Sequence, residues 1–424
     1  MRTAVAGLVF VAATVTSALA LAFPLEGLSQ QLAWVAFAIG FVAALFAWQG
    51  IRAGRGPSPN AWDVLMLVLF ALVSLRAFLW VLYTVGDEWR VLSPNNLGDI
   101  SLHLHMIRYL AGGVDFWPAS PILAGVPLTY PLGMDLFNSL LLCIGVPVER
   151  GLIWVGLLGA ILSGWGLWRW GGAFAVAALL FNGGLAGFLI FKTGSIQDFQ
   201  ALLPWKNFFL TMLVTQRGLL YALPSGLFLL CAWRKDLFGS GSGVPRWITF
   251  LLYSTMPLFS AHAFVFLSLV LACAFVVNPG QRKFLALFVA CAFVPATAAM
   301  FFVTGHFSAA AGLRWMPGWM QGSDMWLDYV KAPGATWLAG SAWLFWIWNF
   351  GISLPLLCVL GWKIGRARDK EAICFAGTGL AVFLICCFVS FAPWEWDNTK
   401  LFLWAWLASA PFLWNMISNW PVPL

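Results

Sequence analysis

Long apolar runs follow one another along this chain, and short polar or Gly- and Pro-rich stretches separate them. Near the N-terminus the runs cover 4–22, 32–50 and 62–85. Each is long enough to cross about 30 Å of hydrocarbon as an α-helix. Two further runs, 371–391 and 401–418, have the same character. The pattern therefore predicts an all-α polytopic membrane protein.

The central part of the chain does not divide evenly into crossings. It contains three apolar segments, at 131–147, 151–168 and 171–191. Both flanks of this region are predicted to lie outside, so it must cross the membrane an even number of times. One segment must then be broken or re-entrant, and "FNGGLAGF" (181–188) is the predicted break.

A second irregular region is 247–277, between two basic loops. We expect it to form two short helices that meet near His262 rather than one span. The whole chain is then expected to contain about 11 to 13 spans.

Basic residues indicate which loops face the cytoplasm. The basic loops are "IRAGRGPSP" (51–59), "RKDLFGSGSGVPR" (234–246), "NPGQRK" (278–283) and "KIGRARDK" (363–370). With these inside, the outer segments are 86–130, 192–206, 304–335 and 391–400. The net charge is +7, but the chain lacks the dense basic face with interleaved aromatic residues that nucleic-acid binding needs. Membrane lipids, and not nucleic acid, are the expected partners of this charge.

The composition, 62% hydrophobic and 9% charged, leads us to expect no soluble domain. We predict one transmembrane domain over 1–424, with N-terminal spans (1–85), an outer catalytic loop (86–130) and the remaining spans (131–424). The first 22 residues imitate a signal peptide, but the apolar run that follows closely favours an uncleaved first span. All eight Cys lie within or beside apolar runs and are interpreted as small hydrophobes.

The polar residues gather on the outer side of this topology. The outer segments carry Asp87, Glu88, Asp99, His103, His105, Asp115, Asp198, Lys206, Asp324, Asp328, Asp397 and Lys400. Near the outer ends of spans lie Asp135, Gln216, Arg217 and His262. This convergence of acids, bases and imidazoles at one water–membrane boundary is the main functional signal of the sequence.

Arg217 lies about ten residues into an apolar run. An Arg there costs at least about 2.5–3.5 kcal/mol unless it faces a cavity or a partner. It is either half of a buried pair, for example with Asp135, or an anion site, because a guanidinium matches phosphate oxygens.

Asp397 and Lys400 also have two interpretations. They either pair locally at i and i+3, with Asp397 as N-cap, or Lys400 supplies a second cation for an anionic ligand.

The segment "NNLGDISLHLHMIRYLAGG" (95–113) is predicted to form an amphipathic helix on the outer surface. Its apolar stripe consists of Ile100, Leu104, Ile107 and Ala111. Helical spacing puts Asp99 and His103 on one arc and His105 nearly opposite, so the two imidazoles bind one metal only if the segment is extended. Asp99 is interpreted either as a helix N-cap or as a catalytic acid. Next, "YPLGMD" (130–135) turns the chain back into the membrane.

The order of Asp99, an amphipathic helix, "AGG", "FWP" and "AGVPLTYPLG" resembles the first outer loop of GT-C glycosyltransferases. The similarity extends to uncharacterised prokaryotic GT-C-like membrane proteins with Asp-x-x-x-His, Gln-Arg and Trp-Asp-Asn-x-Lys elements. The matching residues here are Asp99 and His103, Gln216 and Arg217, and Trp396, Asp397, Asn398 and Lys400. The resemblance covers 86–230 well and the rest of the chain loosely.

The resemblance implies sugar transfer from a polyprenyl-phosphate donor to a glycan, lipid or protein acceptor. The reaction would occur at the extracytoplasmic face of a prokaryotic plasma (inner) membrane. The implied catalytic residues are Asp99, His103, Asp87 and Glu88. The implied substrate-binding residues are Arg217, Lys400, Gln216, Asp397, Asn398, His262, Tyr130 and Asp135. No cofactor and no metal ligand are assigned, and a divalent cation stays open as a cofactor.

This chain departs from the family pattern at two points. The characteristic loop follows the third apolar run instead of the first. The family's adjacent acidic pair is absent at Asp99, which Ile100 follows, but Asp87 and Glu88 form such a pair slightly earlier. The catalytic acid therefore stays open between these positions. A lipid or polysaccharide transporter or flippase, and a non-catalytic scaffold subunit with the same fold, are the alternative functions.

Overall fold

A computed structural model describes residues 1–52, 58–92, 96–194, 205–308, 313–318, 320–331, 336–339, 342–391 and 397–419. Two of the residues named from the sequence, Asp198 and Trp396, lie outside the described residues. The described chain is mostly helical, and its strands are two short antiparallel pairs.

The first three helices are α1 (Arg2–Ala22), α2 (Gln30–Gly50) and α3 (Ala61–Leu79). The first two confirm the predicted spans to within two residues. The third ends six residues before the predicted boundary at 85, which was wrong. The chain instead turns into a hairpin of β1 (Tyr83–Val85) and β2 (Glu88–Arg90). Gly86 makes the turn with φ of 61°, a conformation that suits a residue without a Cβ.

The helix predicted over 95–113 is confirmed as α4 (Leu97–Ala111). It starts directly after Asn96, so Asp99 lies in the first turn and is not the N-cap. Ile100 and Ile107 on its apolar face pack in a buried cluster with Val81 and Leu82, the residues that follow α3. The predicted stripe therefore fixes which face of α4 points inward.

The region 131–191 forms two helices, α5 (Gly133–Cys143) and α6 (Val148–Leu180). Helix α5 has 11 residues and is about 16 Å long, which is too short to cross a bilayer alone. Helix α6 is kinked at Gly171 and Gly172, and it ends at Leu180. A 3₁₀ turn (Leu185–Leu189) and α7 (Ile190–Thr193) follow. The predicted break at 181–188 is confirmed.

A π-helical turn (Phe209–Leu213) precedes the next group of helices. These are α8 (Leu219–Phe238), α9 (Arg246–Ser254), α10 (Met256–Phe259) and α11 (Ala261–Val277). The break before α11 lies at Ser260, beside His262, as the sequence predicted. The region contains three helices instead of the predicted two, because α10, a single helical turn, lies between α9 and α11. Residues 279–303 then form one apolar helical stretch that contains a 3₁₀ turn (Pro279–Gln281), α12 (Arg282–Phe288), a π turn (Val289–Phe293) and α13 (Val294–Val303).

The last part of the chain begins with a short strand, β3 (Arg314–Trp315), which pairs with β4 (Val389–Ser390). A 3₁₀ turn covers Thr336–Leu338, and a π turn covers Ile373–Gly377. The helices are α14 (Asp324–Lys331), α15 (Ala342–Phe350), α16 (Ser353–Ala367), α17 (Lys370–Ala372), α18 (Thr378–Phe388) and α19 (Asn398–Ser418).

Seven helical stretches in the described part of the chain are long and apolar enough to cross a membrane. They number up to eight if α15 and α16, bent by 97°, are counted as one broken span. This supports an all-α polytopic membrane protein. The count is below the expected 11 to 13 because regions such as 131–147 and 247–277 are built from shorter helices.

The chain divides into two compact units. Unit 1 comprises 1–176, 210–268 and 278–309, and unit 2 comprises 177–209, 269–277 and 310–424.

Within unit 1, the loops predicted to be cytoplasmic share one end. Arg2 donates from Nε to the carbonyl oxygen of Ile51 at 2.7 Å, and the amide of Arg52 donates to the carbonyl of Gly243 at 3.3 Å. Asn278 binds the carbonyl of Leu237 at 2.8 Å.

The predicted outer segment 86–130 meets the turn between α1 and α2 within unit 1. The α1–α2 turn packs against the end of α4, where a Cβ placed on Gly27 would lie 2.7 Å from the carbonyl of Gly113.

Candidate functional site

Five of the residues singled out from the sequence come together in unit 1. Two are on α4 (Asp99, His103), one is in the first turn of α5 (Asp135), and two directly precede α8 (Gln216, Arg217). Up to 118 residues of sequence separate these positions. We refer to these five residues as the polar cluster.

Asp99 marks the more accessible edge of the polar cluster. Its side chain is half-buried, and its Oδ2 accepts a hydrogen bond of 3.1 Å from Nε2 of Gln216, which is also half-buried. A carboxylate that accepts a neutral amide bond keeps free lone pairs on both oxygens. Asp99 can therefore still receive a hydrogen bond, or a proton, from another group.

His103 lies one turn further along α4 and is 1% exposed. Its Nδ1 is 2.9 Å from Oδ1 and 3.0 Å from Oδ2 of Asp135, which is also 1% exposed. The ring of Tyr130 stands edge-on to the imidazole, with the centroids 6.1 Å apart. His105, by contrast, is exposed and stacks on Tyr109. The helix thus separates the two imidazoles, and the extended His-x-His arrangement does not occur.

Arg217 is 1% exposed. Its Nη2 donates to the carbonyl oxygen of Leu152 at 3.0 Å, whereas Nε and Nη1 are buried and have no hydrogen-bond partner among the described residues. Asp135 is close enough to interact with the guanidinium electrostatically. The predicted pairing of Arg217 with Asp135 is therefore a charge interaction, while the hydrogen bonds of this carboxylate go to His103.

The backbone around the polar cluster is held by α10. A Cβ on Gly218 would collide with the carbonyl oxygen of Phe259, and a Cβ on Gly133 would lie 2.8 Å from that of Leu258. The ring of Tyr221 packs on Phe259, with the centroids 3.9 Å apart. The single turn of α10 thus fixes both the start of α8, beside Arg217, and the start of α5, beside Asp135. His262 follows shortly after it, as the second residue of α11, and is half-buried.

Helices α4 and α5 are also tied directly. The hydroxyl of Ser139 donates to the carbonyl of Ile107 at 3.0 Å. Sequence reasoning named neither Ser139 nor the carbonyl of Leu152, because neither a hydroxyl in a helix nor a backbone oxygen carries a sequence signal. It also assigned Asp135 to Arg217 and missed its bond with His103.

The alternative acids, Asp87 and Glu88, lie on the β1–β2 hairpin, and both are exposed. Glu88 forms an exposed ion pair with Arg90 at 3.1 Å. No hydrogen bond among the described residues joins either acid to the polar cluster. The catalytic role of Asp87 and Glu88 therefore stays a prediction.

The C-terminal motif belongs to unit 2. Nζ of Lys400 lies 2.7 Å from Oδ1 of Asp397, and both side chains are partly exposed, so the local i and i+3 pairing is present. Asn398 is fully buried. Its Oδ1 accepts from the amide of Phe391, and its Nδ2 donates to the carbonyls of Cys386 and Val389. Asn398 thus joins the end of α18 to the start of α19, and a ligand would have to replace these bonds.

No group of three or more His, Cys, Asp or Glu side chains is placed to hold a metal ion within the described ranges. The question of a divalent cation is not decided by this observation.

Comparison with known proteins gives no further guidance. No family model matches the chain, and neither the curated proteins nor the solved structures contain a match.

Proposed function

We propose that this protein is a membrane glycosyltransferase of the GT-C type. It would move a sugar from a polyprenyl-phosphate donor to a glycan, lipid or protein acceptor. The observation that supports this proposal is the polar cluster. Two acids, an imidazole and a guanidinium from three distant segments of sequence meet within a bundle of apolar helices.

The chemistry of the transfer needs two kinds of group. The acceptor hydroxyl must lose a proton as it bonds to the anomeric carbon, and Asp99 and His103 on α4 are groups that can accept one. The bond from that carbon to the phosphate oxygen breaks, and the departing lipid phosphate keeps the electron pair. Its growing negative charge needs donors fixed in advance.

Arg217 suits the second role. It is a permanent cation, it is buried, and it has N–H groups on Nε and Nη1 that no described residue engages. A phosphate oxygen in the guanidinium plane would satisfy one of these donors by a charge-assisted hydrogen bond. In this proposal Gln216 orients Asp99, and Tyr130 and His262 are further contacts to the donor or acceptor.

We place the reaction at the extracytoplasmic face of a prokaryotic plasma (inner) membrane. Support comes from the basic loops of unit 1, which meet at one end and are typical of a cytoplasmic surface. The end of α4 packs against the α1–α2 turn, which lies at the other end of that helical hairpin. A lipid-linked donor also needs a site beside the bilayer, which a polytopic protein supplies.

The test is a transfer assay with purified protein in nanodiscs and a panel of radiolabelled polyprenyl-phosphate sugars. We expect transfer or hydrolysis of at least one donor, and a loss of about 10²–10³-fold in kcat/KM for Arg217→Ala. Arg217→Lys should recover part of this loss, because an ammonium restores the charge without the planar fork. Arg108→Ala, on the exposed face of α4, is the matched control.

Two outcomes would contradict the proposal. One is the absence of transfer and hydrolysis with every donor. The other is an activity of Arg217→Ala equal to that of Arg108→Ala. Movement of a lipid-linked sugar across proteoliposomes without any transfer would favour the transporter alternative.

A further inference from the structure

The bond between His103 and Asp135 is separate from the phosphate role of Arg217. Both carboxylate oxygens lie within 3.0 Å of the same ring nitrogen, Nδ1, and both residues are buried. Among the described residues, Asp135 on α5 and Tyr130 before α5 contact the imidazole. Arg217 before α8 interacts with Asp135, and Asp99 lies one turn before His103 on the same helix.

The geometry of the bond indicates which atom carries its hydrogen. Both oxygens of Asp135 lie at hydrogen-bond distance from Nδ1, and a carboxylate whose two oxygens accept from one N–H contributes no hydrogen of its own. We therefore assign the hydrogen of the bond to Nδ1 of His103. In the neutral imidazole the other nitrogen, Nε2, then carries the lone pair.

We propose that His103 is the base that removes the acceptor's proton, through Nε2, and that Asp135 is the positioning residue that holds it in the required tautomer. This inference rests on the proposed function and specifies its acid–base residue. It also differs from the sequence analysis, which left the catalytic acid open between Asp99, Asp87 and Glu88 and implied that Asp135 binds substrate.

Imidazole is better suited than a carboxylate to this step. General base catalysis is most efficient when the proton affinity of the base matches the working pH, and imidazole is the side chain closest to neutrality. Asp99 already accepts a hydrogen bond from Gln216, which occupies one lone pair of Oδ2. Asp99 instead lies one turn before His103 at the more accessible start of α4.

The proposed step transfers one proton and one glycosyl group. The acceptor oxygen gives its proton to Nε2 of His103 and bonds to the anomeric carbon. The bond from that carbon to the phosphate oxygen breaks, and the lipid phosphate leaves with the electron pair beside Arg217. His103 is then an imidazolium whose charge Asp135 stabilises through the Nδ1 bond. The proton afterwards returns to water, with Asp99 as the nearest carboxylate on the same helix.

The experiment compares Asp99→Asn, His103→Gln and Asp135→Asn in the transfer assay, with the exposed His105→Gln as the control. We expect His103→Gln to lower kcat by about a hundredfold or more, with little change in the donor KM. Asp135→Asn should lower kcat and move the imidazole hydrogen of His103 from Nδ1 to Nε2, because the new amide group can donate to Nδ1 whereas the carboxylate only accepts. A merely structural role of Asp135 would leave the hydrogen on Nδ1.

A second measurement does not depend on turnover. The chain contains four His, so isotope-labelled histidine gives a simple NMR spectrum, which His103→Gln assigns. We expect a hydrogen on Nδ1 of His103 and a lone pair on Nε2. A hydrogen on Nε2 would overturn the inference.

The activity results separate the two proposals. If the wild type transfers sugar and folded His103→Gln retains its kcat, the base is not His103, and the glycosyltransferase proposal stands. If the wild type transfers nothing from any donor, the proposed function fails, and this assignment fails with it.

Discussion

Gln216 donates a hydrogen bond from Nε2 to Oδ2 of Asp99 at 3.1 Å, across 117 residues of sequence. The bond fastens the segment before α8 to the first turn of α4. The same segment contains Arg217, whose Nη2 binds the carbonyl of Leu152 on α6. One short stretch of backbone therefore positions an amide and a guanidinium against different helices.

Gln216→Leu tests this bond. Its loss should lower the free energy of unfolding by about 0.5–1.5 kcal/mol, the range for a typical intramolecular hydrogen bond. Gln216→Glu should destabilise the fold more, because two carboxylates would face each other. Denaturant unfolding in micelles measures both. Ser101→Ala, which removes an exposed hydroxyl from another face of α4, is the control, and equal stabilities of Gln216→Leu and Ser101→Ala would refute the role of the bond.

The charge interaction between Arg217 and Asp135 predicts non-additive effects. Arg217→Met leaves a buried carboxylate without its cation and should destabilise the protein by about 3–5 kcal/mol. In the double variant with Asp135→Asn that charge is absent, so the combined loss should be about 1–3 kcal/mol smaller than the sum of the single losses. The unfolding free energies of the wild type, the two single variants and the double variant complete this double-mutant cycle.

The control for this cycle pairs Arg217→Met with Asp236→Asn. Asp236 lies near the far end of α8, about 28 Å along the helix axis. These two changes should add. Additivity in the cycle with Asp135 as well would show that the two buried charges do not interact.

The sequence predicts features that depend on residue spacing or composition within a single helix. Helical spacing placed Asp99 and His103 on one arc of α4, and the Gly-rich stretch at 181–188 marked the end of α6. It does not report which distant elements pack together. The bond of His103 with Asp135 depends on the contact of α4 with α5, so the sequence pointed to the charge interaction of Asp135 with Arg217 but not to its hydrogen bond with His103.

The premature end of α3 has a similar cause. Residues 80–85 are apolar enough to continue the span, but the chain leaves the helix because Val81 and Leu82 pack against α4 and Gly86 makes a hairpin turn. Hydropathy does not distinguish burial against another helix from burial in lipid. The roles of the polar residues in transfer likewise stay predictions until activity is measured.

Gly218→Ala tests how α10 supports the polar cluster. A Cβ at this position collides with the carbonyl oxygen of Phe259, which is backbone and has little room to move. We expect a loss of about 1–3 kcal/mol in unfolding free energy from overpacking, together with reduced transfer because Arg217 is displaced. Gly365→Ala in α16 meets no atom within 4 Å and is the matched control. Unchanged stability and activity of Gly218→Ala would contradict the support role.

Asp63 is expected to matter for stability alone. It completes a capping box with Asn60 at the start of α3, and its Oδ1 accepts the amide of Ala173 at 2.7 Å, directly after the kink of α6. Asp63→Ala leaves that amide unpaired and should cost about 1–3 kcal/mol. Asp63→Asn, which keeps an acceptor oxygen, should cost less. A decrease in kcat of folded Asp63→Ala would indicate a role beyond the kink.

The Asn398→Ala variant tests whether Asn398 supports the fold or contacts a ligand. Its amide makes three hydrogen bonds at zero exposure, to the backbone of Phe391, Cys386 and Val389. Asn398→Ala leaves these groups unpaired, so we expect a loss of about 2–4 kcal/mol in unfolding free energy without any ligand. Asn419→Ala, an exposed Asn at the other end of α19, should change it by less than about 0.5 kcal/mol. If instead Asn398→Ala keeps full stability and raises only the donor KM, Asn398 binds the donor. Its hydrogen bonds between the ends of α18 and α19 then contribute little to the free energy of unfolding.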